Sequence, residues 1–530
     1  MAKQNVKKEE AVEKPTDVLA IPPLNIDSVP YVRRYTEECS PINLKVAAAL
    51  NGLHSVNLNE KFNYLDVGCG NAVSLCAFAA VNPQGHFYGI DSSAEHINYA
   101  KQLVETCQLN NVTLIESRIE DLNIDDLPSC DFIVANAFIS NVDDDSRYRL
   151  LELVNHKLSD HGVYHVVYNA MPGWNVLMPI HELISHGLGN AQESDLVKQL
   201  NQNVSVIDEL IKHQSAFFKD SVDSIKVFDA IKGLSANAVI HEFMNNEVNA
   251  FYFREVVAYQ ASAGLRYVGS AQLHRNYPGF IIPERFDKML STLPDRLEKE
   301  RLIDFIENTR MRSDIFMTES HIVKQNYDDT SVLDDIYVVC TLTDEQLKKG
   351  VALKYKNYKL ADEQSKAIIE LVHDKSQSVA DLLKNKSLSQ FDQADIFQRV
   401  KVMLALKCLT PCVSDLITDV SRKKIDKKAM HRVSLMNLQL FNLCQIRKMP
   451  VPLLSTVTGA AVWTSLPVTK LLLALSASNH NIEKAWELIL ERTNENTVDN
   501  IKANRDQVLK TLTTLKKTRI PLMQRYGMYL

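Results

Sequence analysis

At 530 residues the chain is longer than one hydrophobic core comfortably fills, so two or three domains are expected. Its 45% hydrophobic and 23% charged residues are those of an ordinary globular protein, and a net charge of −6 argues against broad nucleic-acid binding, which needs a basic excess. Nine scattered cysteines, none in a CxxC pair, argue against a disulfide framework or a zinc site and suit reduced, buried thiols.

In chain order, the opening "MAKQNVKKEEAVEKPTDV" is charged and has no apolar centre, so residues 1–27 read as a disordered tail and not as a secretory signal. No apolar run is long enough to span a bilayer, and the expected location is the cytoplasm. From Tyr64 to Tyr168, short apolar runs alternate with helix-period segments. "YLDV" leads into a helix near residues 72–81, and "HFYGID" into one near 94–107. "VTLIES" follows, then "DFIVANA" with a helix near 145–158, then "GVYHVVYNA". This alternation predicts an α/β fold, a doubly wound, mostly parallel Rossmann-like sheet covered on both faces. Helical spacing then dominates an insertion of about residues 175–262. "LRYVGSAQL" and "SDIFMTESHIV" read as strands that return to the sheet, closing a domain of residues 28–330. A polar, acidic linker near 326–335 precedes a mainly helical C-terminal domain of residues 335–530, with amphipathic segments such as "ADIFQRVKVMLALKCL" and "KAWELILERT".

The segment "NYLDVGCGNAVSL" (residues 63–75) ends its strand at Asp66 and turns through Gly68 and Gly70. Ligands of such sheets sit at the carboxyl ends of the strands, where glycines let backbone approach closely. A dinucleotide fingerprint would need glycine at Val73, and a P-loop would need Gly-Lys-Ser/Thr; neither is present. The second strand ends in Asp91, followed by Ser92, a carboxylate placed to accept hydrogen bonds from ribose hydroxyls. Past the third strand, Glu120 and Asp121 lie where an adenine ring would rest. Alone, each has a plain structural explanation: a tight turn, a helix cap, solvated loop acids. Their order after successive strands favours a nucleoside ligand.

Together these motifs resemble the class I S-adenosylmethionine-dependent methyltransferases. A narrower resemblance joins "VPYVRRYTEECSPINLKVAAALNGL", the "YNAMPGW" element and "HEFMNNEVNAFYFREVVAYQASAGLRYVGSAQ" to the branch that carries a methyltransferase regulatory domain, including the rickettsial-type protein lysine methyltransferases. It covers about residues 28–318 well, and the tail "MPVPLLSTVTGAAVW" more thinly. The resemblance implies S-adenosyl-L-methionine as cofactor and a protein lysine as acceptor, with surface or outer-membrane proteins as acceptors in the rickettsial branch, and a monomer or homodimer. It assigns Asp66, Gly68, Gly70, Asp91, Ser92, Glu120 and Asn136 to the cofactor. The polar groups Asn136, Tyr31 and Tyr168 are the catalytic candidates, and Ser140, Asn169 and Trp174 the acceptor contacts. The sequence departs from the branch at Asn71, Ala72, Val73, Asn136 and Asn141. The alternatives are a small-molecule methyltransferase or a non-catalytic cofactor-binding scaffold. "HEL" at His181 and "HEF" at His241 do not extend to HExxH, so no metal is expected, nor any nucleic-acid partner or membrane span. The basic run of residues 421–432 reads as a solvated loop.

Overall fold

The computed structural model describes residues 33–186, 195–245, 247–325, 329–373, 375–417, 427–491 and 504–530. The predicted tail of residues 1–27, Tyr31 and residues 421–426 of the basic run lie outside them, while residues 427–432 of that run open a helix (Lys427–Arg447) and are not the expected loop.

Each alternating segment takes its expected form. Ser40 caps helix α1 (Pro41–Leu50) by accepting from the Asn43 N–H, with Pro41 pre-set for the first turn. Then come β1 (Phe62–Val67), α2 (Val73–Val81), β2 (Gly85–Asp91), α3 (Ala94–Thr106), β3 (Val112–Glu116), β4 (Cys130–Asn136), α4 (Asp144–Lys157) and β5 (Leu158–Asn169). These five strands run parallel. Strands β6 (Leu265–Ser270) and β7 (Met311–Thr318) do return to the sheet, antiparallel, in the order β3-β2-β1-β4-β5-β7-β6. Strand order reverses between β1 and β4, and in sheets of this architecture ligands bind at the carboxyl ends of the strands beside that switch point.

Side chains alternate across the sheet. Phe62, Tyr64, Phe132 and Val134 face one core, while Leu65, Val67, Ile133 and Ala135 face the other. The first core also takes in residues of the C-terminal region, among them Val338, Ile368, Val400, Met436 and Leu454. Direct contacts stitch that region to the sheet's helices. The Asn82 amide donates to Gly459 O at 3.0 Å, and Cys107 Sγ meets Met436 Sδ at 3.6 Å. The C-terminal region is helical with three small sheets among the described residues (Tyr337–Val339 between Gln377–Ser378 and Thr410–Cys412, Val351–Ala352 with Asn357–Tyr358, and a hairpin of Val451–Ser455 with Ala460–Thr464). The "MPVPLLSTVTGAAVW" segment is that hairpin. Residues 180–245 form a separate compact unit of helices. Inside it, Asn203 donates to Ile184 O at 2.7 Å, and the His181 ring bonds Asn245 O at 3.0 Å, so His181 is a core residue. Among the described residues, no helix is long and apolar enough to cross a membrane, and no group of three or more His, Cys, Asp or Glu is placed to hold a metal.

Candidate functional site

Two carboxylates converge on the glycine turn. Gly68 N and Cys69 N both donate to Ile90 O, at 2.8 and 3.0 Å, which ties the turn to the neighbouring strand. Gly70 N donates to Asp91 Oδ2 at 2.8 Å. Gly68 and Gly70 have φ of +72° and +53°, the left-handed region that glycine enters without penalty. At Gly68 a Cβ would also lie 2.7 Å from the Phe138 ring, so space as well as conformation requires glycine there. Ser93, not Asp91, caps α3 by accepting from His96 N at 3.4 Å. Asp91 Oδ1 accepts from Ser93 N at 3.0 Å and pairs with His96 Nδ1 at 3.1 Å. The carboxylate is thereby aimed over the turn, with Ser92 exposed beside it.

Asp66 is buried, and its Oδ1 has no hydrogen-bond partner among the described residues. Burial, together with the Asp91 charge, pushes its carboxyl up to about 7. A buried carboxylate without donors is costly, and a ligand that brings positive charge and donors would offset that cost. A sulfonium nucleoside with an ammonium and a ribose diol brings both, so the residues present fit S-adenosylmethionine. Glu120, half-buried, accepts from Ser146 Oγ on α4 and from Arg118 Nε at 3.2 Å, while Asp121 is exposed.

The tips of β4 and β5 carry uncharged polar groups instead. Asn136 ends β4 half-buried, and its side chain makes no hydrogen bond to the described residues. The turn after it places Ala137 at φ +62°, closed by the Asn141 amide donating to Ala137 O at 2.7 Å. Ser140, fully buried, accepts from Asn169 N at 2.9 Å and offers its carbonyl to Asn249 N at 2.8 Å. The Asn169 amide reaches Asn249 O at 3.3 Å, and Asn169 O accepts from Phe251 N at 3.0 Å. The fold thus gathers Asn136, Ser140 and Asn169 at one end of the sheet, and adds Asn249, which the sequence showed only as one letter of "NNEVNAFYF".

Three predicted roles are corrected. Tyr168 is buried, and its hydroxyl donates to Asp314 Oδ2 at 2.7 Å, so it is committed to a structural network and cannot orient an acceptor. In that network Arg312, 2% exposed, pairs with Asp314 at 2.8 Å, Asp304 at 2.8 Å and Glu300 at 3.0 Å. Ser140, fully buried with its hydroxyl bonded to Asn169 N, is likewise a packing residue and not an acceptor contact, and Trp174 lies buried in the turn after β5. His96 was missed because a histidine in a helix's first turn carries no signal until the neighbouring strand end is placed in space.

Residues 58–203 match the family described as "Methyltransferase domain", and residues 235–318 the "Predicted methyltransferase regulatory domain". The uncharacterized protein sll1526 of Synechocystis sp. is 22% identical over 506 residues, covering 94% of this chain and 98% of that protein. The uncharacterized protein RP789 of Rickettsia prowazekii is 24% identical over 61% of this chain and 58% of its own length. PKMT2 from Rickettsia typhi, solved in complex with AdoHcy, shares the fold with a TM-score of 0.66 at 18% identity, over 94% of this chain and 100% of that one. With the glycine turn, the paired acids and these matches in agreement, the chain carries an S-adenosylmethionine-dependent methyltransferase domain followed by a predicted methyltransferase regulatory domain, and it shares its fold with PKMT2 of Rickettsia typhi.

Proposed function

We propose that this methyltransferase acts on the ε-amines of lysine side chains in a protein, with surface or outer-membrane proteins as the first acceptors to test. One observation carries the reading: charge is segregated across the crevice. Carboxylates Asp66 and Asp91 stand at the β1–β2 end, while the β4–β5 end carries the uncharged Asn136, whose side chain makes no hydrogen bond to the described residues, beside Ser140, Asn169 and Asn249, which bond to one another. Bound at this crevice, S-adenosylmethionine supplies a methyl carbon already activated by a positive sulfur.

The chain's own residues then have separate tasks. Asp91, steadied by His96 and Gly70 N, holds the ribose diol, with Ser92 alongside. Asp66 meets the ammonium, Glu120 borders the adenine, and Gly68 and Gly70 allow the close backbone approach. On the acceptor side the obstacle is protonation. An ε-ammonium has a reference pKa near 10.4, and holding it neutral at pH 7 costs roughly 4–5 kcal/mol. Burial and a nearby positive charge both lower that pKa. Neutral amides suit the next step, because they accept a hydrogen bond from a free amine without stabilising its protonated form as a carboxylate would. Asn136 is assigned this orienting role, with Asn169 shaping the passage and Ser140 holding the Asn169 backbone from behind the surface. Transfer itself needs alignment more than acid–base help.

The test is mass spectrometry of an outer-membrane protein fraction incubated with enzyme and S-adenosylmethionine. Methyl groups on lysines of macromolecular acceptors are expected. Methylated product confined to the low-mass fraction would overturn the protein assignment, and tight cofactor binding with no product would mark a scaffold. Asn136→Ala is expected to slow turnover by about 10–100-fold while cofactor affinity stays within about threefold.

A further inference from the structure

Away from the paired acids lies a cavity of about 460 Å³ walled by three stretches of chain far apart in sequence. Glu37, Glu38 and Asn43 come from the N-terminal arm and α1. Residues 271–275, with Phe280 and Ile281, follow β6. Residues 351–354 and 405–407 come from the C-terminal region. The Asn43 amide, itself buried, stitches the first two walls together by donating to Glu38 O at 3.0 Å and Ala271 O at 2.9 Å. Glu307 completes the lining.

The charges around this cavity are unevenly matched. Lys407 Nζ sits 2.8 Å from Glu37 Oε2, and Lys354 Nζ 3.2 Å from Glu307 Oε2, so both lysines are neutralised. Two lining groups remain. The Glu38 carboxylate has no side-chain hydrogen bond or ion pair among the described residues. The Arg275 guanidinium has only a long bond to Thr309 Oγ1 at 3.4 Å and no carboxylate partner among them. Beside the charged groups the lining holds the polar side chains of Asn43, Gln272 and His274 and an apolar set of Leu273, Phe280, Ile281, Leu353 and Leu406. A cavity of this size, part apolar and part charged, has the dimensions of a small-molecule pocket.

We propose that this cavity binds a small zwitterion of the amino-acid class, its ammonium on Glu38, its carboxylate on Arg275 and an apolar side chain against the leucines and Phe280. One unmatched anion and one unmatched cation in the same enclosure favour a ligand carrying both charges over a simple anion or cation. Occupancy would draw the N-terminal arm, the loop after β6 and the C-terminal region together, which makes the site suited to an effector.

The probe is L-leucine, titrated calorimetrically into the full-length chain beside L-leucinamide, which lacks the carboxylate, and N-acetyl-L-leucine, which lacks the ammonium. L-leucine is expected to bind, and each derivative to bind at least about tenfold more weakly, since each loses one charge-assisted pairing. Glu38→Gln should weaken L-leucine about tenfold yet leave N-acetyl-L-leucine unchanged, and Arg275→Leu should do the same for L-leucinamide. Matched circular dichroism and melting temperature show that the variants are folded, and the derivative pairs control for any general loosening. No binding of L-leucine at millimolar concentration, equal binding of the three probes, or preferential binding of a doubly blocked leucyl peptide would overturn the proposal, the last in favour of a polypeptide partner. The assay reads no methyl transfer, so its failure and that of the proposed function are separate results.

Discussion

Asp66 is the residue whose state most directly reports the proposed cofactor site. With its carboxyl pushed up to about 7 by burial and the Asp91 charge, about half of the empty protein carries a proton there at neutral pH. Pairing with a cationic ligand needs the ionised form. S-adenosylmethionine affinity is therefore expected to rise roughly tenfold between pH 6 and pH 8, and this slope should vanish in Asp66→Asn. Calorimetry across that range checks it. The stability linkage has the opposite sense. A carboxyl whose folded value is raised contributes most below its unfolded value, and that contribution is lost as pH climbs through about 7. Asp91 makes a sharper test. Replacing it with alanine removes both proposed ribose bonds and the anchor of Gly70 N, and should weaken cofactor binding about 100-fold.

At the scale of elements, the proposed acceptor side depends on how β5, β7 and the turn after β5 are locked together. A Cβ at Gly173 would fall 2.4 Å from Thr309 O, and Gly173 N donates to that same oxygen at 3.0 Å. Gly173→Ala is expected to cost about 1–3 kcal/mol in urea unfolding and to lower methyl transfer while cofactor affinity holds. The Arg312 cluster is the second lock, joining β7 to β5 through Tyr168 and Asp314, and to the helix Arg296–Glu307 through Asp304 and Glu300. Arg312→Met would strand buried carboxylates and cost about 3–5 kcal/mol. Burial already raises Asp304 to about 6, so the penalty should shrink at pH 5, where the stranded groups take up protons. Urea titrations at pH 5 and pH 8 distinguish this from simple loss of packing.

For the molecule as a whole, the sheet and the C-terminal region share one apolar core. Phe78 and Leu75 of α2 belong to the same buried cluster as Met436, Leu454 and Ala461. A fragment ending at residue 330 would expose that face of α2 and lose the Asn82–Gly459 bond. It is expected to show weak near-ultraviolet circular dichroism and no cooperative melt, whereas the full chain melts the sheet and C-terminal region together. A sharply melting fragment with full cofactor affinity would contradict this.

The strands, their helices and the glycine turn were readable because they rest on local rules: alternation, capping and the left-handed backbone that glycine tolerates. Asp91 was readable because a strand's end is marked in sequence. Partnerships were not. That Ser93 would take the cap and leave Asp91 to Gly70 and His96, or that Tyr168 would be spent on Asp314, depends on which strands lie side by side. The same holds for the C-terminal region, whose helices announce their apolar faces but not the sheet's helices they cover. Hydrophobic patterning says that a face is buried, while long-range packing alone selects what buries it.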